Sequence, residues 1–242
     1  MGIFNQYNGS SFIQLLKSDY PELVSDYPKI VIDSKSLGLI PEGTTITALK
    51  FADGVIIGGD RRATAGGHLI VNESVVKVFK TDDYSAIAIA GTFGPSVKMA
   101  KLLQTELEHY EKIEGFPLTL EGKATKLSYM VELNFPAAMQ GLPVMPLFVG
   151  YDIYEKTGKI FEYDITGGTF TKPRQEPYST SGSGGDRAAS TFEHFFKEDM
   201  SLKESVELMK KALTFASKKD TATGGKGYII KSVTAKGVED IE

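Results

Sequence analysis

The run Ala86-Ile87-Ala88-Ile89-Ala90 limits the fold of this chain more than any other stretch. It reads as a strand but lacks the apolar/polar alternation of a sheet with one wet face, so both faces of its sheet must be covered. The segments around it are hairpins. Residues 45–49 alternate, Asp53-Gly54 is a strong turn signal, and 55–59 return as an apolar strand. A second hairpin is expected from 75–80 and 84–90, turned by Thr81-Asp82-Asp83, and a third from 147–154 and 160–165, joined at Thr157-Gly158. A strand at 228–232 closes the chain.

Helices fall between these hairpins. Met99, Leu102, Leu103, Leu107 and Tyr110 form a stripe at helical spacing. Leu127, Met130 and Val131 mark a second helix that Pro136 should end or kink, and Gly115-Phe116-Pro117 separates the two. Two more helices are expected at about 186–198 and 202–219. Clustered hairpins mean antiparallel sheet, and doubly apolar strands mean covered faces. The expected class is therefore α+β, a four-layer αββα sandwich of two antiparallel sheets between helix layers.

Composition narrows the function. The 242 residues, 41% apolar and 24% charged, suffice for a sizeable core. With a net charge of -4 and no block of Lys or Arg, nothing marks a nucleic-acid surface, and a protein or peptide partner fits better. The absence of cysteine excludes disulfides, thiolate metal sites and cysteine nucleophiles. Neither a signal peptide nor a membrane span is legible, and a cytoplasmic protein is expected. Residues 1–43 hold three of the ten prolines and at most a turn or two of helix, best placed at 11–16, so they form a separable appendage before a domain at 44–242.

The boundary between the two parts carries a possible chemistry. Gly43-Thr44-Thr45 either ends a loop and starts a strand or is a cut site. Cleavage after Gly43 would leave Thr44 with a hydroxyl and a free α-amine, a nucleophile with its own base. Lys77, among Val75-Val76 and Val78-Phe79, is either an edge-strand lysine reaching solvent or a buried cation that needs a carboxylate, Asp60 being the nearest candidate. Asp220-Thr221-Ala222-Thr223-Gly224-Gly225 is either a helix stop or the source of a second partner. The glycine-rich turn around Ser183 lacks the Gly-Lys-Ser/Thr of a P-loop, and His68, His109 and His194 have no zinc or Ser-His-Asp spacing. No metal or cofactor is expected.

Thr44-Thr45, Gly59-Asp60-Arg61-Arg62-Ala63-Thr64, Lys77, Ala90-Gly91-Thr92, the stretch from Ser179 to Gly184, and Asp220 to Gly225 together resemble the 20S proteasome β-subunit family, in order and over 44–242. Leu107 to Lys112 and Ala138 to Pro143 most resemble its bacterial, actinobacterial-type branch. The resemblance implies an N-terminal nucleophile hydrolase fold and a threonine endopeptidase made as a precursor, with residues 1–43 a propeptide removed by self-cleavage between Gly43 and Thr44. It implies that Thr44 is the nucleophile, with Asp60 and Lys77 beside it, and that Ser183, Asp220 and Thr223 hold the terminal amine. The Gly91 N–H would be the oxyanion donor, and Thr64 would pair with an extended substrate.

Ala63, Val75, Phe79, Ile89 and Phe93 fall at or near pocket positions, and their apolar character implies cleavage after apolar or aromatic residues. Phe93 is bulkier than the family pattern leads one to expect. The implied partners are α-subunits, β-subunits in homo-heptameric rings stacked in pairs, and a ring ATPase that feeds in protein substrates carrying a prokaryotic ubiquitin-like tag. Two rival readings are the smaller two-component threonine peptidase paired with an unfoldase ring and a catalytically silent, structural β-subunit. The long appendage and the extra helices near the C-terminus argue against the first, and the joint presence of Thr44, Asp60, Lys77, Ser183 and Asp220 argues against the second.

Overall fold

The computed structural model describes residues 41–65, 69–173 and 176–242. The helix expected at 11–16, and most of 1–43 with it, lies outside the described residues. Thirteen strands and four helices follow within them: β1 (Pro41–Glu42), β2 (Thr45–Phe51), β3 (Gly54–Asp60), β4 (Ala63–Ala65), β5 (Leu69–Asn72), β6 (Val78–Asp82), β7 (Ser85–Gly91), α1 (Phe93–Glu114), α2 (Leu120–Ala138), β8 (Val144–Asp152), β9 (Thr157–Tyr163), β10 (Thr169–Thr171), β11 (Tyr178–Gly182), α3 (Gly185–Phe195), α4 (Leu202–Ser217), β12 (Tyr228–Thr234) and β13 (Gly237–Asp240).

Two five-stranded antiparallel sheets, β10-β9-β8-β7-β6 and β11-β2-β3-β12-β13, form the body, and β1-β4-β5 make a small third sheet. The apolar run on β7 shows why there are four layers. Ile87 and Ile89 belong to a core with Leu103, Leu127 and Phe148, under α1 and α2. Ala86, Ala88 and Ala90 turn the other way and meet Ile46, Ile57, Leu147 and Ile160 between the sheets. A third core, with Leu49, Ile56, Phe192, Met209 and Ile230, lies under α3 and α4. Each large aliphatic side chain so buried contributes about 1.5–3 kcal/mol, so covering both faces of both sheets drives the layering.

Several boundaries depart from the sequence reading. Val75, Val76 and Lys77 precede β6 rather than lying in it. Thr157 and Gly158 begin β9, and the turn is made at 153–156. Pro136 sits in the last turn of α2, which runs on only to Ala138. The strands β1, β4, β5, β10, β11 and β13 have no counterpart in the sequence reading. They are short or lie at sheet edges, where ladder pairing rather than local pattern makes the strand. Local signals set the helix starts better: Thr119 accepts the Gly122 N–H at 3.1 Å, and Ser201 with Glu204 forms a capping box on α4.

Candidate active site

Antiparallel pairing brings the start of β2, the end of β3, the end of β11 and the start of β12 to one end of a sheet, with Gly182 opposite Thr45 and Tyr228 opposite Asp60. Residues far apart in sequence meet there. Asp60 closes β3 with no exposed surface. Its Oδ1 accepts from the Thr45 N–H and from Lys77 Nζ, both at 2.8 Å, and its Oδ2 from the N–H groups of Arg62 at 3.0 Å and Gly224 at 2.9 Å.

Lys77 is only 3% exposed, which removes the solvent-reaching alternative. Besides Asp60, its ammonium donates to the Arg62 carbonyl at 2.5 Å and to the Gly43 carbonyl at 3.3 Å. Burial pushes the Lys77 pKa below the ordinary lysine value, and the facing Asp60 carboxylate opposes that shift. Thr44 is buried as well, and its Oγ1 donates to the same Gly43 oxygen at 2.6 Å. A hydroxyl and an ammonium thus converge on the carbonyl of the peptide bond that precedes Thr44.

On the other side of Thr44, its carbonyl accepts the Ser183 N–H at 2.9 Å. Ser183 Oγ lies 2.6 Å from Asp220 Oδ2 and 3.4 Å from the Thr44 carbonyl. Asp220 also accepts from Thr223 Oγ1 at 2.5 Å and from the Ala222 N–H at 3.1 Å. Burial alone would raise the Asp220 carboxyl, but the hydroxyl donors of Ser183 and Thr223 outweigh it and hold its pKa below the usual carboxylate value.

The remaining expected positions spread around this centre. Gly91 ends β7 with φ +105°, and a Cβ there would stand 2.3 Å from the Pro143 carbonyl oxygen, so only glycine fits. Ala63 and Thr64 are buried on β4, which pairs antiparallel with β1, Glu42 opposite Thr64. Val75 is buried, its N–H donating to the Arg61 carbonyl at 3.0 Å. Ile89 lies in the core beneath α1, and Phe79 packs against that core. Phe93 opens α1 and lines a surface depression of about 560 Å³ with Val97, Lys101 and Leu102.

Two residues at the centre have no assignment in the sequence reading. Arg62 reaches across with Nη1 to the carbonyls of Thr221 at 3.0 Å and Thr223 at 3.3 Å, tying β3 to the loop that carries Asp220. Thr45, with no exposed surface, joins its hydroxyl to Thr223 Oγ1 at 2.6 Å. Arg62 belongs to the Gly59 to Thr64 motif, but nothing local to it fixes where its side chain goes.

Other parts of the surface offer less chemistry. A cavity of about 1070 Å³ opens at the opposite end of the sandwich, by the β2–β3 and β8–β9 turns, with both signs of charge on its wall. Glu121, Asp152 and Glu155 are close enough together to hold a cation, but Lys159 already bridges all three at 2.6–3.0 Å.

The sequence model of the family described as "Proteasome subunit" matches residues 40–231. The chain is 43% identical to a protein named "Proteasome subunit beta" from Streptomyces griseus, over 89% of this chain and 75% of that one. It is 47% identical to one of the same name from Acidimicrobium ferrooxidans, over 78% and 68% of the two chains, and 41% identical to one from Jonesia denitrificans, over 91% and 72%. A family match across most of the length, on an αββα sandwich whose buried polar groups gather around one threonine, leads to a single conclusion: the chain belongs to the proteasome subunit family.

Proposed function

We propose that Thr44 is the nucleophile of this chain and that residues 1–43 are a propeptide removed at the Gly43-Thr44 bond. As a member of its family the chain is a β-type threonine peptidase subunit of a 20S proteasome, with the N-terminal nucleophile fold, and works in ring complexes with α-subunits. The observation that carries the proposal is the meeting of Thr44 Oγ1–H and Lys77 Nζ on the Gly43 carbonyl oxygen, next to buried Asp60.

Two donors polarise that carbonyl and stabilise negative charge developing on its oxygen. Thr44 Oγ1 adds to the Gly43 carbonyl carbon, and the proton it loses passes to the Thr44 nitrogen; the C–N bond breaks, that nitrogen leaves as an amine, and an ester joins Gly43 to Oγ1. Water then hydrolyses the ester, releasing a carboxylate at Gly43 and leaving Thr44 with its hydroxyl and a free α-amine. An α-amine has a reference pKa of about 7.7–8.0 and can take the hydroxyl proton in later turnovers. Lys77 then stabilises the alkoxide, Gly91 supplies the oxyanion donor, and Ser183, Asp220 and Thr223 hold the amine. The pairing of β1 with β4 supports Thr64 as the strand along which an extended substrate lies.

The apolar side chains of Ala63, Val75, Phe79, Ile89 and Phe93 support cleavage after apolar or aromatic residues. Homo-heptameric β-rings stacked in pairs, a ring ATPase, substrates carrying a prokaryotic ubiquitin-like tag and a cytoplasmic location complete the reading. Among the described residues no helix is long and apolar enough to cross a membrane. Intact-mass measurement on assembled particles is expected to show loss of residues 1–43, with a peptide panel favouring apolar or aromatic side chains before the cut. An uncleaved but active subunit would overturn the proposed nucleophile, and a preference for acidic or basic residues the proposed pocket.

Gly43 has its own requirement. It holds φ +105°, and a Cβ there would stand 2.3 Å from the Ala222 Cβ and 2.6 Å from Thr64 Oγ1. Gly43→Ala must therefore displace the carbonyl from its two donors. The expected result is self-cleavage slowed at least tenfold, on the order of 1.4 kcal/mol in barrier, followed as the decay of precursor mass with time. An unchanged rate would mean that this carbonyl geometry is not the reacting one.

A further inference from the structure

The site contains a hydroxyl that the reaction above does not use. Thr45 is wholly buried, directly after the nucleophile, and each of its polar groups reaches a different half of the site. Its N–H donates to Asp60 Oδ1 at 2.8 Å, on the lysine side. Its Oγ1 accepts the Gly184 N–H at 3.1 Å and meets Thr223 Oγ1 at 2.6 Å, on the Asp220 side.

The direction of that last bond follows from counting protons. A threonine hydroxyl has one, and a carboxylate can only accept. Thr223 Oγ1 donates to Asp220 Oδ2 at 2.5 Å, so in its contact with Thr45 it must accept. Thr45 is then the donor, and the order is fixed: Gly184 N–H to Thr45, Thr45 to Thr223, Thr223 to Asp220. Each bond polarises the next. The neighbouring Thr47 provides the contrast. Two residues along, on the same face of β2, its Oγ1 is buried with no hydrogen-bond partner among the described residues. Burial on this strand does not by itself supply a hydroxyl with partners.

We infer that Thr45 is a positioning residue for the peptidase: its hydroxyl, oriented by the Gly184 N–H, locks Thr223 onto Asp220 and thereby fixes the Asp220–Ser183 pair against the Thr44 backbone, while its N–H holds Asp60. The inference rests on Thr44 as nucleophile, which Thr44→Ala tests separately.

The experiment uses the full chain assembled with α-subunits, carrying Thr45→Val, Thr45→Ser, Thr47→Val or Thr223→Ala, and the Thr45→Val/Thr223→Ala pair. Particle assembly and thermal midpoint are recorded with kcat, KM and the rate of precursor cleavage. Thr45→Val keeps the shape and loses the hydroxyl, and should lower kcat about tenfold with KM within twofold. Thr45→Ser should restore kcat to within threefold, and Thr47→Val should leave it unchanged. In the Thr223→Ala background, Thr45→Val should lower kcat by less than threefold, since the relay is already cut. A Thr45→Val enzyme with kcat within twofold of the parent would overturn the inference. So would a full tenfold effect persisting in the Thr223→Ala background, or a Thr45→Ser enzyme as impaired as Thr45→Val. If Thr45→Val does not assemble, the Thr45→Ser and Thr223→Ala enzymes carry the test, with Thr45→Ser near-normal and Thr223→Ala reduced in kcat alone; any other pattern overturns it.

Discussion

Replacing Thr44 by alanine is expected to leave the precursor uncut and peptide hydrolysis absent. Among the described residues only Thr44 Oγ1 and Lys77 Nζ donate to the Gly43 carbonyl oxygen, and the ammonium carries no lone pair with which to attack. Removing a catalytic nucleophile in hydrolases of comparable logic lowers kcat on the order of 10⁶-fold. Thr44→Ser keeps a hydroxyl at the same position and should cleave itself and turn over within about tenfold of the parent, about 1.4 kcal/mol. Mass spectrometry of the assembled particle and release of a fluorogenic peptide measure both. A Thr44→Ala particle that loses residues 1–43 or hydrolyses peptide at the parental rate would end the assignment.

The second large effect concerns the buried ion pair, where stability and activity should fall together. Breaking a buried pair by removing one partner costs about 3–5 kcal/mol, because a charge is left uncompensated. The two partners differ in what they leave behind. After Lys77→Ala, Asp60 still accepts three backbone N–H groups, from Thr45, Arg62 and Gly224. That loss belongs near the lower end, about 3 kcal/mol. After Asp60→Ala, the same three N–H groups lose their acceptor and the buried ammonium loses its paired carboxylate, keeping just the carbonyls of Arg62 and Gly43, so the loss should reach about 5 kcal/mol. Both variants should fail to process. Denaturant midpoints order the stabilities, and precursor mass reports processing; a processed, active Lys77→Ala particle would remove Lys77 from the mechanism.

Much of the architecture was legible because the strongest signals were local. The doubly apolar run of β7 required two covered faces, and the alternation of Ala86, Ala88 and Ala90 with Ile87 and Ile89 now divides between the inter-sheet core and the helix-side core. The two helices expected at about 186–198 and 202–219 end within a few residues of α3 (Gly185–Phe195) and α4 (Leu202–Ser217). The strands that no local pattern marks, β1, β4, β5, β10, β11 and β13, owe their conformation to their ladder partners, as β1 does to β4 and β11 to β2. Its apolar neighbours make Lys77 read as a strand residue, yet it stands just before β6, where its ammonium can turn back toward Asp60.

The site divides in the same way. By itself the sequence determined which groups exist: a threonine after a Pro/Gly turn, an aspartate ending an apolar strand, a lysine among valines, a Ser/Gly turn, an Asp-Thr loop and no cysteine. It also determined the order of the main hairpins and helix pairs, since periodicity and turn chemistry are local properties. Only the tertiary structure decided that Lys77 is buried rather than at the surface, that its ammonium and the Thr44 hydroxyl share one carbonyl oxygen, and that Thr45 links the two carboxylates. The physical reason is that hydrogen bonds and desolvation act over about 3 Å in space, whereas Thr45 and Thr223 stand 178 residues apart along the chain. Only the antiparallel sheets bring them together.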